Sequence, residues 1–148
     1  MKYYKLLIAI FALITATYAN TDLEISTKLF EVSKGSKILK ELTEAIPNAI
    51  VAYQHTITNP TSMVARDVVF SDIIPQHTHY VPNSATCNDG CLIEYSVDGE
   101  VFEKASELFV YTNALTLANP KNYKHIRWTF PRLNPNTKQV ILFKTKID

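Results

Sequence analysis

The chain has 148 residues, 47% of them hydrophobic and 20% charged, with a formal net charge of +1. That length suits one domain, and the balance excludes a disordered chain. The charges are scattered and form no basic face, so binding to nucleic acid or to an anionic membrane surface is not expected.

The first residues differ from the rest. Lys2 and Lys5 form a basic start, residues 6–14 are uncharged and apolar, and Thr17 and Ala19 stand at the −3 and −1 positions of a cleavage site before Asn20. This is the architecture of a secretory signal peptide over residues 1–19, followed by a single mature domain over residues 20–148. The apolar run is shorter than the ~20 residues that span a bilayer. No later segment is apolar enough to cross, and no cysteine follows the run to carry a lipid. The expectation is an exported protein, periplasmic or at the cell surface, with no membrane span after cleavage.

Beyond the leader, short alternating runs are separated by turn formers. Residues 23–32 alternate with Leu23, Ile25, Thr27 and Leu29 on one face and predict a strand. Gly35 marks a turn. Residues 37–45 have helix-like spacing at Ile38, Leu39 and Leu42, and are read as a short strand in an otherwise all-β pattern. After Pro47-Asn48, residues 49–58 predict a strong strand with Val51, Tyr53 and Ile57 on one face and His55 between them. Asn59-Pro60-Thr61-Ser62 is a turn. Residues 67–74 and 77–81 predict two more strands, closed by Pro75 and by Pro82-Asn83.

Asp98-Gly99, between residues 92–97 and 100–103, predicts a type I′ hairpin, which needs positive φ at both central residues. Residues 105–123 are irregular, with a short strand near 108–111 and then a loop. Residues 125–130 alternate, with Ile126, Trp128 and Phe130 on one face. Pro131 and Asn134-Pro135-Asn136 read as the next turn, and residues 138–147 as the last strand. Strands recurring with turns every eight to twelve residues imply an antiparallel β-sandwich of about seven to nine strands. Its expected core includes Val51, Tyr53, Ile57, Val69, Ile126, Trp128 and Phe130.

Four stretches carry a family resemblance. Residues 51–61 (Val-Ala-Tyr-Gln-His-Thr-Ile-Thr-Asn-Pro-Thr) are similar to a Y-x-I-x-x-x-N strand and turn. Residues 65–75 (Ala-Arg-Asp-Val-Val-Phe-Ser-Asp-Ile-Ile-Pro) are similar to a segment with V-x-x-x-D-x-x-P. Residues 80–84 and 95–99 look like the pieces that follow, and residues 125–133 with the final strand resemble the closing element. In this order they resemble the bacterial conserved-repeat domain catalogued as "domain of unknown function 11", over about two-thirds of the mature chain. The resemblance implies an immunoglobulin-like sandwich and an envelope location, and it implies no catalytic residues. Where the family has Pro-Gly, this chain has Pro47-Asn48 and Pro135-Asn136. Asn tolerates the left-handed conformation best after Gly, so those turns are expected to survive.

Few residues carry chemistry. Cys87 and Cys91 flank three turn formers, Asn88, Asp89 and Gly90. In an oxidising compartment they are expected to form a disulfide, with free thiols or a metal site as the other readings. His77 and His79 are two apart, so a strand would place both imidazoles on one face, a geometry open to zinc or copper. Asn59, Asp72, Asp98 and Gly99 are read as structural turn residues; a calcium role for Asp72 with Asp67 lacks the loop pattern. There is no G-x-S-x-G elbow and no glycine-rich phosphate loop. Trp128 and the tyrosines read as core, not as a sugar platform. The chain is therefore expected to be a non-enzymatic envelope module without cofactor. Its partner would be an unidentified envelope protein or another copy. The alternative is a periplasmic metal-binding protein using His77 and His79.

Overall fold

The structure is a computed structural model and describes residues 13–16, 23–32, 39–41, 46–88 and 90–148. Most of the expected signal peptide, the turn at Gly35, much of residues 37–45 and Asp89 lie outside the described residues.

The described residues form twelve strands: β1 (Leu13–Ala16), β2 (Glu24–Val32), β3 (Leu39–Glu41), β4 (Ile50–Asn59), β5 (Ala65–Ile73), β6 (Thr78–Tyr80), β7 (Thr86–Cys87), β8 (Leu92–Ser96), β9 (Phe109–Tyr111), β10 (Leu115–Leu117), β11 (His125–Leu133) and β12 (Thr137–Ile147). Every pairing is antiparallel. One sheet has the order β1-β5-β11-β8, and the other β3-β2-β4-β12-β6 with β7 also paired to β12. The third is the isolated ribbon β9-β10. The chain is thus an all-β antiparallel sandwich. It holds more strands than the turn spacing implies, because several are pieces of two to four residues, too short to leave a periodicity.

The two large sheets pack face to face through aromatic side chains. His55 of β4 lies 4.9 Å from Phe70 of β5, and Trp128 of β11 lies 5.9 Å from Phe143 of β12, ring centre to ring centre. The indole N–H of Trp128 donates to the Thr86 carbonyl across the interface at 3.2 Å, so its polar edge is satisfied. Burying each such aromatic stabilises the fold by about 1.5–3 kcal/mol before entropy is counted.

Alternation sets which residues enter this layer. Along β4, Val51, Tyr53, His55, Ile57 and Asn59 all point inward and are buried. Along β5 the inward row is Val68, Phe70 and Asp72, so Val69 stands on the opposite face and is only half-buried. Assigning Val69 to the core mistook the phase, because three consecutive apolar residues, Val68-Val69-Phe70, hide which alternate pair is inside. The other six expected core residues are buried.

Two expected turns differ. Pro131 lies inside β11, not after it. β8 pairs only as far as Thr129, so no ladder on that side needs the N–H that proline lacks. At Asp98-Gly99 only Gly99 has positive φ (87°), so the turn is not type I′. Residues 100–103 return through a single bridge, Tyr95 to Glu103, instead of a second strand. By contrast, Asn48 and Asn136 adopt the left-handed conformation expected of them, with φ of 65° and 54°.

Candidate functional site

The buried polar groups come first, since an inward polar side chain must find partners. Asn59 closes β4 with a full set. Its amide donates to the carbonyls of Met63 (2.8 Å), Leu133 (3.2 Å) and Asn134 (3.2 Å), and its Oδ1 accepts from the Thr61 backbone N–H (3.2 Å) and hydroxyl (2.7 Å). One side chain thereby ties the β4–β5 turn to the β11–β12 turn.

Asp72 does more than close a strand. Its Oδ1 accepts from the Ile73 backbone N–H at 2.8 Å, and its Oδ2 lies 2.9 Å from His55 Nε2. That second contact joins the two sheets. The two atoms are close but do not meet hydrogen-bond geometry. On the other side of the ring, Nδ1 shares a hydrogen bond of 2.8 Å with the Thr27 hydroxyl on β2. A hydroxyl, an imidazole and a carboxylate therefore stand in line. The imidazole is sealed from solvent between Phe70 and Phe143, and the row runs along the sheet interface, not into a cleft. It binds β2, β4 and β5 together. The sequence alone names no partner for His55, although its even spacing from Tyr53 and Ile57 puts it on the inward face.

A second buried group closes one end of the sandwich. The Tyr80 and Tyr95 hydroxyls are 3.0 Å apart, the Ala85 N–H donates to Tyr80 Oη at 3.0 Å, and the Tyr95 and Tyr123 rings stack at 4.7 Å. Burial, then the Tyr80 contact, pushes the Tyr95 phenol well above the ordinary tyrosine range.

The residues singled out for metal chemistry are not gathered. His77 is a left-handed turn residue (φ 59°) ahead of β6, so strand alternation does not align it with His79. His79 Nδ1 is 2.9 Å from Asp148 Oδ1. Cys87 and Cys91 are bonded to each other, with Cα atoms 6.4 Å apart, which consumes the thiolates a His₂Cys₂ site would need. Asp67 and Asp72 lie toward opposite ends of β5, the first exposed and the second buried against His55. Among the described residues, no group of three or more His, Cys, Asp or Glu is placed to hold an ion.

Asp98 and Gly99 build a side-chain-capped loop. Asp98 Oδ1 accepts from the N–H groups of Glu100 (2.8 Å) and Val101 (3.0 Å) and from the Ser96 hydroxyl (2.9 Å). Those bonds, the Glu100 N–H first, hold its carboxyl below the usual aspartate range. Gly99 is required: a Cβ there would stand 2.8 Å from the His125 ring.

The most exposed apolar surface is the β9–β10 ribbon. Leu108 and Ala118 are buried and anchor its foot, with the Ala118 N–H donating to the Leu108 carbonyl at 2.8 Å. Beyond them Tyr111 pairs with Leu115 and Phe109 with Leu117, and cross-strand partners share a face. These four side chains are 51–77% exposed. Residues 108–118 contain no charged side chain, so neither edge of the ribbon carries the lysine or glutamate that usually blocks strand pairing. A two-stranded ribbon alone is marginal in water, and this one leaves two aromatics and two leucines exposed. Sequence reading found the first of these strands and took the second for a loop, because Asn113 and Asn119-Pro120 frame too short a run.

No helix among the described residues is long and apolar enough to cross a membrane. No protein-family model matches the chain, and no curated protein or solved structure is similar enough to count as a match.

Proposed function

We propose that the chain is an exported, non-enzymatic envelope protein that acts as a structural or protein-interaction module. The observation that carries this is the uncharged β9–β10 face of Phe109, Tyr111, Leu115 and Leu117, exposed on a domain whose other aromatics are mostly buried. An exposed apolar face rooted in a rigid core is the usual anatomy of a docking surface. The Cys87–Cys91 disulfide agrees with life in an oxidising compartment. The basic, apolar and small-residue order of residues 1–19 agrees with export, to the periplasm or the cell surface. The partner would be another envelope protein or a second copy of this chain.

The test is expression of the full chain with a C-terminal tag in a bacterial host. The reading expects recovery from the envelope or medium, an N-terminus at Asn20 by mass spectrometry, and no titratable thiol. A cytoplasmic product that retains Met1 and reacts at both cysteines would refute export.

A further inference from the structure

The β5 sheet reaches four strands only with β1 at its edge. The facing contacts set the alignment: β4 lies over β5 (His55 with Phe70), β12 over β11 (Phe143 with Trp128) and β6 over β8 (Tyr80 with Tyr95). By strand order, β2 projects beyond β4 where β1 projects beyond β5. β1 is Leu13–Ala16, paired antiparallel to residues 68–71 of β5, with Ile14 opposite Phe70 and Ala16 opposite Val68. Those four residues belong to the stretch read above as a removable leader. On that reading, which this inference rests on, processing takes away one strand of the sandwich. The backbone edge of β5 then opens.

The β5 edge is suited to take a replacement. Val68-Val69-Phe70-Ser71 contains no charge and no proline, the usual devices that protect an edge. The window is bounded at one end by the left-handed kink at Asp67 (φ 49°) and at the other by Asp72, which is turned into the core, and by Pro75. We propose that this edge is a strand-acceptor site, which in the processed protein takes an extended segment from another polypeptide. The donor runs antiparallel to β5, spans at least four residues, and is uncharged. The chain's own Leu-Ile-Thr-Ala segment defines that chemistry by occupying the place. Main-chain hydrogen bonds to the β5 edge supply the affinity. This site is separate from the β9–β10 face.

The test uses the full chain, a variant carrying Ile14→Pro and Thr15→Pro, and a synthetic peptide of residues 11–19. Prolines at two adjacent positions remove the ladder donor whichever of the two faces β5. Amide hydrogen exchange is read at residues 68–71. In the intact chain the edge amides and those of Leu13–Ala16 are expected to be protected. In the variant the edge is expected to lose protection, and added peptide is expected to restore it. The same peptide with both prolines is expected to bind at least about tenfold more weakly, having lost ladder bonds. Unchanged protection at 68–71 in the variant, or a peptide that does not restore it, would overturn the proposal. So would a dimer of the variant that protects β5 and that peptide cannot displace, since the edge would then pair with itself. If the prolines prevent folding, the intact chain still decides: unprotected amides at Leu13–Ala16 show that the edge takes no strand. None of these readings depends on where the cell cuts the chain, so a failed leader assignment and a failed acceptor site are told apart by the mass of the recovered protein.

Discussion

The centre of the sandwich and the β9–β10 ribbon use the same residue types to opposite ends. Around Trp128, the side chains of Phe70, Phe130, Phe143, Ile57 and Ile126 are almost completely buried, because each strand's inward row meets the inward row of the facing sheet. On the ribbon, Phe109, Tyr111, Leu115 and Leu117 form a row of similar composition that no layer of the described residues covers. Alternation creates an apolar face in both places. Whether that face stabilises the chain or awaits a partner depends on what lies opposite. The core row is buried by folding, whereas the ribbon row stays more than half exposed.

Substitutions separate the two regions, beginning with the largest effect. Trp128→Ala is expected to cost about 3–5 kcal/mol, read from the denaturant midpoint, since it leaves a cavity between the sheets and frees the Thr86 carbonyl. His55→Leu is expected to cost nearly as much, about 3–5 kcal/mol, by stranding the buried Asp72 carboxylate. The double variant His55→Leu/Asp72→Asn removes the charge while keeping an acceptor for the Ile73 N–H, and is expected to recover most of that loss. A double variant no better than the single one would show that shape, not charge, governs the site.

Smaller effects follow at the margins of the core. Gly99→Ala is expected to destabilise by about 1–2 kcal/mol, through left-handed strain and contact with the His125 ring. Tyr95 gives a pH signature. Its phenol is raised in the folded state, so its stabilising contribution is complete below the unfolded tyrosine value near ~10 and falls as pH rises above it. Absorbance titration is expected to show Tyr95 ionising only together with alkaline unfolding, and Tyr95→Phe is expected to flatten that part of the stability curve.

Much of the sandwich was legible from residue order. Long alternating runs such as those of β4, β11 and β12 announce themselves, and Asn48 and Asn136 adopt the turns their chemistry allows. What stayed hidden was tertiary. The phase of β5 could not be chosen from Val68-Val69-Phe70 without knowing the facing sheet. Asp98-Gly99 promised a hairpin, but the Asp98 side chain captures the local N–H groups and the backbone takes a capped loop instead. His55 and Asp72 are 17 positions apart and belong to different sheets, so no local pattern could join them. The second ribbon strand, Leu115–Leu117, was hidden for a different reason. Three residues framed by turn formers carry little periodicity, and exposure is a property of the folded surface.

The smallest expected effect on stability is at the ribbon, and there the account is most directly tested. A photo-crosslinking residue at position 111 in the full chain, expressed in its exporting cell, is compared with one at exposed position 138, each with and without Phe109→Ser/Leu117→Ser. Surface changes of this kind are expected to move the unfolding free energy by no more than about 0.5 kcal/mol. The expectation is a discrete crosslinked species from position 111, its loss in the Ser variant, and nothing comparable from position 138. A Ser variant that loses several kcal/mol of stability while the crosslinking pattern stays unchanged would contradict it, because the exposed row would then belong to the fold and not to a partner.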